Sequence, residues 1–67
     1  MHTRDWRFTM TKHPGGARFR LLDPRSGKPY GTVSRLGDRF HAEHDTTGPC
    51  GTHDSLEDAF QAIDAAG

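Results

Sequence analysis

The sequence predicts an α+β fold in which an antiparallel sheet of about four strands packs against one C-terminal helix, in the order ββββα. Three observations predict it. Large apolar residues alternate with polar ones in four short stretches before residue 45, which is the period of half-buried strands. Clusters of Pro, Gly and Asp separate these stretches. After residue 55 the apolar residues recur every three or four positions, the period of an amphipathic helix.

The first two alternating stretches predict a β-hairpin. A strand is expected over about 6–10, and the turn formers Pro14, Gly15 and Gly16 follow it. A second strand over about 17–23 places alternate apolar residues on one face and its arginines on the other.

Two further strands are predicted over about 30–36 and 39–44. The turn-forming segment 23–29, rich in Pro, Gly and Asp, precedes the first of them, and a Gly-Asp pair separates the two. The segment 46–51 contains two glycines and Pro49, which cannot donate a hydrogen bond to a sheet. We therefore expect a loop there, with at most a short edge strand.

The C-terminal segment has the clearest helix pattern in the chain and predicts a helix over about 56–66. Ser55 is a good N-cap, and Asp58 suits the positive end of the helix dipole. A helix this short is marginal in isolation, so its apolar stripe must pack on the sheet. The stripe consists of Leu56, Ala59, Phe60 and Ile63.

The chain of 67 residues predicts a single domain over 1–67 with a small core. Because only 31% of the residues are hydrophobic, nearly every large apolar side chain is needed structurally. Little apolar surface remains to line a pocket of about 300 Å³, the lower end for small-molecule sites. The expected core consists of Trp6, Phe8, Phe19, Leu21, Val33, Phe40, Leu56, Phe60 and Ile63.

The motifs favour a non-catalytic protein without a cofactor. The chain has no Gly-x-Ser-x-Gly sequence and no glycine pattern typical of phosphate binding. Cys50 is the only cysteine, which excludes an internal disulfide. Cys50 and His53 could act as a catalytic thiol and its base, but the pair has no third group to orient the histidine. The N-terminus carries no apolar leader, and no segment could span a bilayer. We therefore expect a soluble cytoplasmic protein without a membrane partner.

The second half of the chain carries a family resemblance. Tyr30, Val33, Gly37, Arg39-Phe40, Ala42-Glu43, Gly51-Thr52, Ser55, Glu57-Asp58-Ala59, Ala62 and Asp64-Ala65-Ala66 are the matching residues. With these, residues 30–66 resemble the three-strand-plus-helix DNA-binding domains of the Apetala and ethylene-response-factor type, which also occur as arm-binding domains of phage integrases. The resemblance implies a third strand at 48–53 and DNA as a ligand. Most of the family's DNA-contact positions differ here, since its arginine-rich first strand is Tyr-Gly-Thr-Val-Ser-Arg in this chain.

The two halves of the chain have opposite charge. Residues 1–39 hold all nine Lys and Arg with three acids, a net +6, and residues 40–67 hold six acids and no Lys or Arg, a net −6. Arginine side chains on adjacent strands suit phosphates and base edges, so DNA or RNA is the leading expected partner. The expected contact residues are Arg7, Arg18, Arg20, Arg35 and Arg39.

Two other partners are compatible with the sequence. The chain could be a protein-binding accessory or inhibitor module, of the kind that phages and bacteria encode, acting through the sheet face or an edge strand on a host protein. The open edges of so small a sheet also allow a homodimer.

A cluster of zinc-competent side chains is the remaining motif. Zinc sites need four such ligands in a tetrahedron. Here the spacer between the two pairs is short, and residues three apart on a strand point to opposite faces, so no metal is predicted. The four candidates are His41, His44, Cys50 and His53.

Overall fold

The computed structural model describes residues 6–66, which form one antiparallel sheet and one helix. The sheet has the strand order β1-β2-β3-β4-β5, and the helix packs across β3, β4 and β5 on one face. The α+β class and the C-terminal helix are confirmed. Arg4 and Asp5, which contribute to the charge of the basic half, lie outside the described residues. The elements are β1 (Arg7–His13), β2 (Gly16–Leu22), β3 (Pro29–Leu36), β4 (Arg39–His44), β5 (Gly48–His53) and α1 (Leu56–Ala66).

The expectation of about four strands is wrong, because residues 48–53 form a fifth strand. β5 pairs with β4, and Glu43 lies opposite Pro49. Pro49 is tolerated because β5 is an edge strand, where a missing N–H need not belong to a ladder. Gly48 and Gly51 both have positive φ, and the register shifts between His41 and Glu43. The glycines therefore permit an irregular edge strand over the full six residues, where the sequence predicted a loop with at most a short edge strand.

The first hairpin is longer than predicted. β1 continues to His13, which lies opposite Gly16, so only Pro14 and Gly15 form the loop. Proline fixes the first φ near −65°, and Gly15 has φ 85°, the combination of a type II turn. Such a tight loop lets the ladder continue for three residues past Met10.

The helix begins as predicted. The backbone N–H of Asp58 donates to Ser55 Oγ at 3.1 Å, which confirms Ser55 as the N-cap. Gly31 lets the helix approach the sheet, because a Cβ at this position would lie 2.5 Å from Ile63 Cγ2.

The core lies between the helix and the sheet. It consists of the buried residues Phe19, Leu21, Val33, Ala42, Ala59, Phe60 and Ile63. Trp6, Phe40 and Leu56 pack against it and are partly buried. Phe8, which was expected in the core, is instead 41% exposed, because the helix does not extend over β1. Its ring still lies 5.2 Å from that of Phe60.

No helix among residues 6–66 combines the length and the apolar character that crossing a membrane requires.

Candidate nucleic-acid interface

The strand register divides the sheet into two faces. Directly opposed residues of antiparallel strands share a face, and the face alternates along each strand. The helix face carries Phe19, Leu21, Val33 and Ala42. We call the opposite side the outer face. Its polar residues are Arg7, Thr9, Thr11, His13, Arg18, Arg20, Thr32, Ser34, Arg39, His41, Glu43 and Thr52.

Four of the five predicted arginines lie on the outer face. Arg18 and Arg20 alternate with the buried Phe19 and Leu21 on β2, and they lie opposite Ser34 and Thr32. Arg7 on β1 and Arg39 on β4 extend the set to either side. Arg18 and Arg20 lie near the centre of the face, whereas Arg7 and Arg39 lie at opposite corners of it, since Arg39 is in the row of His13 and not in that of Arg7.

Arg35 is the exception, and its expected place beside the other arginines is wrong. It lies opposite Ala17 and Phe40, which puts it on the helix face of β3. The helix does not cover this end of the strand, so Arg35 is exposed there and its Nε donates to the carbonyl oxygen of Gly37 at 3.0 Å. Any ligand that lies on the outer face would not reach it.

The outer arginines differ in how firmly they are held. Arg20 donates to Thr32 Oγ1 at 3.1 Å and lies 3.6 Å from a carboxylate oxygen of Asp45. Arg39 lies 3.2 Å from a carboxylate oxygen of Asp54. Half-exposed pairs of this kind contribute at most about 1 kcal/mol, so a phosphate can compete for both guanidinium groups. Within residues 6–66, Arg7 and Arg18 are in no ion pair and are available without any exchange of partners.

Hydroxyl groups lie between the arginines. Thr9 and Thr11 are opposite Arg20 and Arg18, and Ser34 is opposite His41. Hydroxyls donate to phosphate oxygens, as arginines do, and such contacts orient a protein on a nucleic-acid backbone. Sequence analysis did not single out these residues. The signal was available, because they have the same alternation as the outer arginines.

Aromatic side chains are not part of this surface in the described strands. Phe8, Phe19 and Phe40 lie on the helix face, and Tyr30 packs against the core. The outer face can therefore contact a backbone by charge and hydrogen bonding, and apart from the imidazoles of His13 and His41 its strands offer no ring on which an unpaired base could stack.

The acidic residues of the second half are divided between the two sides of the sheet. Glu57 and Asp58 occupy the first turn of the helix, on the side away from the outer face. Among residues 6–66, Glu43 is the one acid whose position in a strand places it on the outer face. Asp45 and Asp54 pair with the outer Arg20 and Arg39, so the basic and acidic halves are separated only in part.

The four metal candidates are not brought together. His41 is on the outer face opposite Ser34, whereas His44 is on the helix face opposite Gly31. His44 Nδ1 accepts hydrogen bonds from the backbone N–H groups of Thr46 and Thr47, at 3.0 and 3.3 Å.

The other two candidates also have partners. His53 Nε2 is 2.9 Å from the carbonyl oxygen of Cys50, and Cys50 Sγ is 3.4 Å from that of Gly48. Residues 6–66 contain no group of three or more His, Cys, Asp or Glu side chains arranged to hold a metal ion.

The fold and this surface define a small α+β domain with a cationic, hydroxyl-rich sheet face. No protein-family model matches the chain, and no curated protein or solved structure shows significant similarity to it.

Proposed function

We propose that the protein is a non-catalytic binding module that contacts nucleic acid through the outer face. One observation carries the proposal: Arg7, Arg18, Arg20 and Arg39 share a face that points away from the acidic helix. A polyanion on this face meets four guanidinium groups, two of them paired with Asp45 and Asp54, and the carboxylate of Glu43. On the helix side it meets Glu57 and Asp58.

The proposed ligand is a duplex, DNA or RNA. Single-strand binders rely on aromatic rings that stack on successive bases, and the Phe and Tyr side chains of the strands are turned toward the core. Guanidinium and hydroxyl groups on a sheet instead suit the regularly spaced phosphates of a double helix.

The architecture of residues 29–66 is compatible with the resemblance to Apetala-type and integrase arm-binding domains. β3, β4 and β5 are consecutive strands of the sheet, and α1 packs on these three. That is the three-strand-plus-helix unit which the resemblance implies. In this proposal β1 and β2 extend the unit and supply three of the four outer arginines, which replace the family's arginine-rich first strand.

The decisive experiment compares two arginines that are close in the sheet but on opposite faces. Arg18→Gln should weaken binding to a short duplex and lower the slope of log affinity against log salt by about 0.9, the change expected when one phosphate fewer is neutralised. Arg35→Gln removes the same charge from the helix face and should leave both quantities at the wild-type value. Fluorescence anisotropy over a salt series, with duplex DNA, duplex RNA and single strands of equal length, measures them.

Two results would overturn the proposal. One is the absence of binding to every probe at about 50 mM salt, where attraction between charges is only weakly screened. The other is an equal loss of affinity in the two variants, which would mean that net charge and not the outer face is responsible.

A protein partner is the second candidate function. Leu36 is 66% exposed on the outer face, so a protein partner on this face would bury it. This candidate replaces the first if no nucleic acid binds. The wild-type protein should then retain a partner from a nuclease-treated lysate, and Leu36→Ala should lose that partner.

A further inference from the structure

The outer edge of β1 is unpaired among residues 6–66. β1 is the first strand of the sheet and pairs with β2 through seven consecutive residues, without a shift of register. All seven residues are exposed. Their outward N–H and C=O groups form a regular row onto which a further strand can add.

The opposite edge of the sheet is protected against such addition. β5 contains Pro49, two glycines with positive φ, and a register shift against β4. Proline and irregular backbone are two of the features by which edge strands avoid pairing with other chains; charged side chains, which β1 has in Arg7 and Lys12, are another. β1 has neither proline nor irregular backbone between Arg7 and His13. The two edges of one sheet therefore differ, and only β1 retains a regular edge.

The β1 edge also has an apolar side. Phe8 and Met10 lie opposite Leu21 and Phe19, so both belong to the helix face. The helix lies over β3, β4 and β5 and leaves these two side chains 41% and 51% exposed. An added strand would cover them without any movement of the helix.

We propose that β1 is a dimer interface, on which a second copy of the chain adds its own β1 in antiparallel orientation around a twofold axis at Thr9. The two sheets then continue into one sheet of ten strands. A twofold axis perpendicular to the sheet keeps the helix faces on one side and the outer faces on the other.

The sequence of β1 selects this register. With Thr9 opposite its own copy, Phe8 faces the second copy's Met10 and Arg7 faces the second copy's Thr11. Four exposed apolar side chains then cover one another on the helix face, and no like charges are opposed.

A shift of the axis to Met10 gives a poorer match. Arg7 would then face the second copy's His13, and Phe8 would face the second copy's Lys12. Two basic side chains would be opposed and Met10 against its own copy would be the one apolar pair left, so Thr9 is a better centre than Met10.

The dimer requires no nucleic acid and does not depend on the proposed function. If both hold, the outer faces of the two copies join and the number of aligned arginines doubles.

The first test is the mass of the chain in solution, measured by light scattering after size exclusion up to millimolar concentration. We expect twice the 7.5 kDa of one chain. Met10→Lys should return the mass to that of one chain, because it places a charge opposite the second copy's Phe8. Leu36→Lys adds the same charge to a similarly exposed apolar position away from β1 and should remain a dimer. Circular dichroism checks that both variants are folded.

The second test is a disulfide across the twofold axis, in a Cys50→Ser background that removes the native thiol. The Cα atoms of directly opposed residues are about 4.5–5.5 Å apart, within the range of a disulfide, so Thr9→Cys should cross-link rapidly on mild oxidation. Thr11→Cys is the control, since its own copy would lie about 13 Å further along the strand.

A single-chain mass at all concentrations would overturn the proposal. So would a dimer in which Thr9→Cys cross-links no faster than Thr11→Cys, because a different surface would then hold the two copies together.

Discussion

Gly31 illustrates how one residue determines the distance between the helix and the sheet. It is buried at the centre of the sheet, on the face that meets α1. A methyl group here would lie 2.5 Å from Ile63 Cγ2 and 3.1 Å from its Cδ1, closer than van der Waals contact allows. Replacing glycine by alanine in a strand ordinarily stabilises by about 0.5–1 kcal/mol, but overpacking a core costs about 1–3 kcal/mol.

Gly31→Ala should therefore lower the free energy of unfolding by about 1–2 kcal/mol, because the overpacking outweighs the gain in backbone entropy. Urea denaturation followed by circular dichroism measures it. Ser34→Ala is the control, since its position on the same strand faces away from the helix, and it should change stability by less than about 0.5 kcal/mol. Equal stability of Gly31→Ala and the wild type would mean that the helix packs less closely than the structure shows.

The positions of the arginines show what alternation alone can predict. Arg18 and Arg20 were placed correctly because they flank Phe19, whose apolar side chain defines the helix face. Arg35 follows Val33 by two positions, so the same rule places it on the helix face. The mistake came from grouping cationic residues of adjacent strands by charge without applying the alternation along β3.

At the scale of elements, the helix was predicted within its observed bounds and β5 was not. The helix pattern is local, since an N-cap and an apolar stripe are contained in twelve residues. β5 has no such pattern, because two of its six residues are glycine and one is proline. It is a strand because β4 and the helix pack against it. The one indication of a strand over the whole of residues 48–53 was the family resemblance, which implied a third strand there.

The attachment of the helix gives a prediction at the same scale. Phe60 is 1% exposed and lies within 5.6 Å of the Trp6 ring, measured between ring centroids. Removing a buried phenylalanine side chain costs about 3–5 kcal/mol, which is as much as the core of so small a domain supplies. Phe60→Ala should therefore be unfolded at room temperature, as seen by circular dichroism.

Phe8→Ala serves as the matched variant. Phe8 contacts both Phe19 and Phe60 but is 41% exposed, so truncation should lower the melting temperature and preserve a cooperative transition. If Phe60→Ala melted within a few degrees of the wild type, the helix would not depend on this contact.

For the whole molecule, the strand order converts the charge asymmetry of the sequence into two surfaces. A meander places β1, β2, β3 and β4 side by side, so that the outer arginines of the first half meet on one face. The helix follows last and lies on the other face with its acidic first turn. Composition predicted two charged halves, but only the topology shows that the sheet and the core separate the outer arginines from the acids of the helix, while Asp45 and Asp54 pair with two of these arginines.

This separation leads to a prediction in which two substitutions alter net charge equally. Glu43 and Glu57 are both exposed, but Glu43 is in β4 on the outer face and Glu57 begins the helix on the other side. A carboxylate that lies 4 Å from a bound phosphate repels the phosphate by up to about 1 kcal/mol in water. At distances beyond the Debye length of about 8–10 Å, salt screens most of this repulsion. Glu43→Gln should therefore tighten duplex binding by about threefold at physiological salt, and Glu57→Gln should change it much less.

Anisotropy titrations at low and high salt measure both, and the difference between the variants should shrink as salt increases. Equal tightening by the two substitutions would show that the ligand responds to total charge, and a larger effect of Glu57→Gln would place the ligand on the helix side.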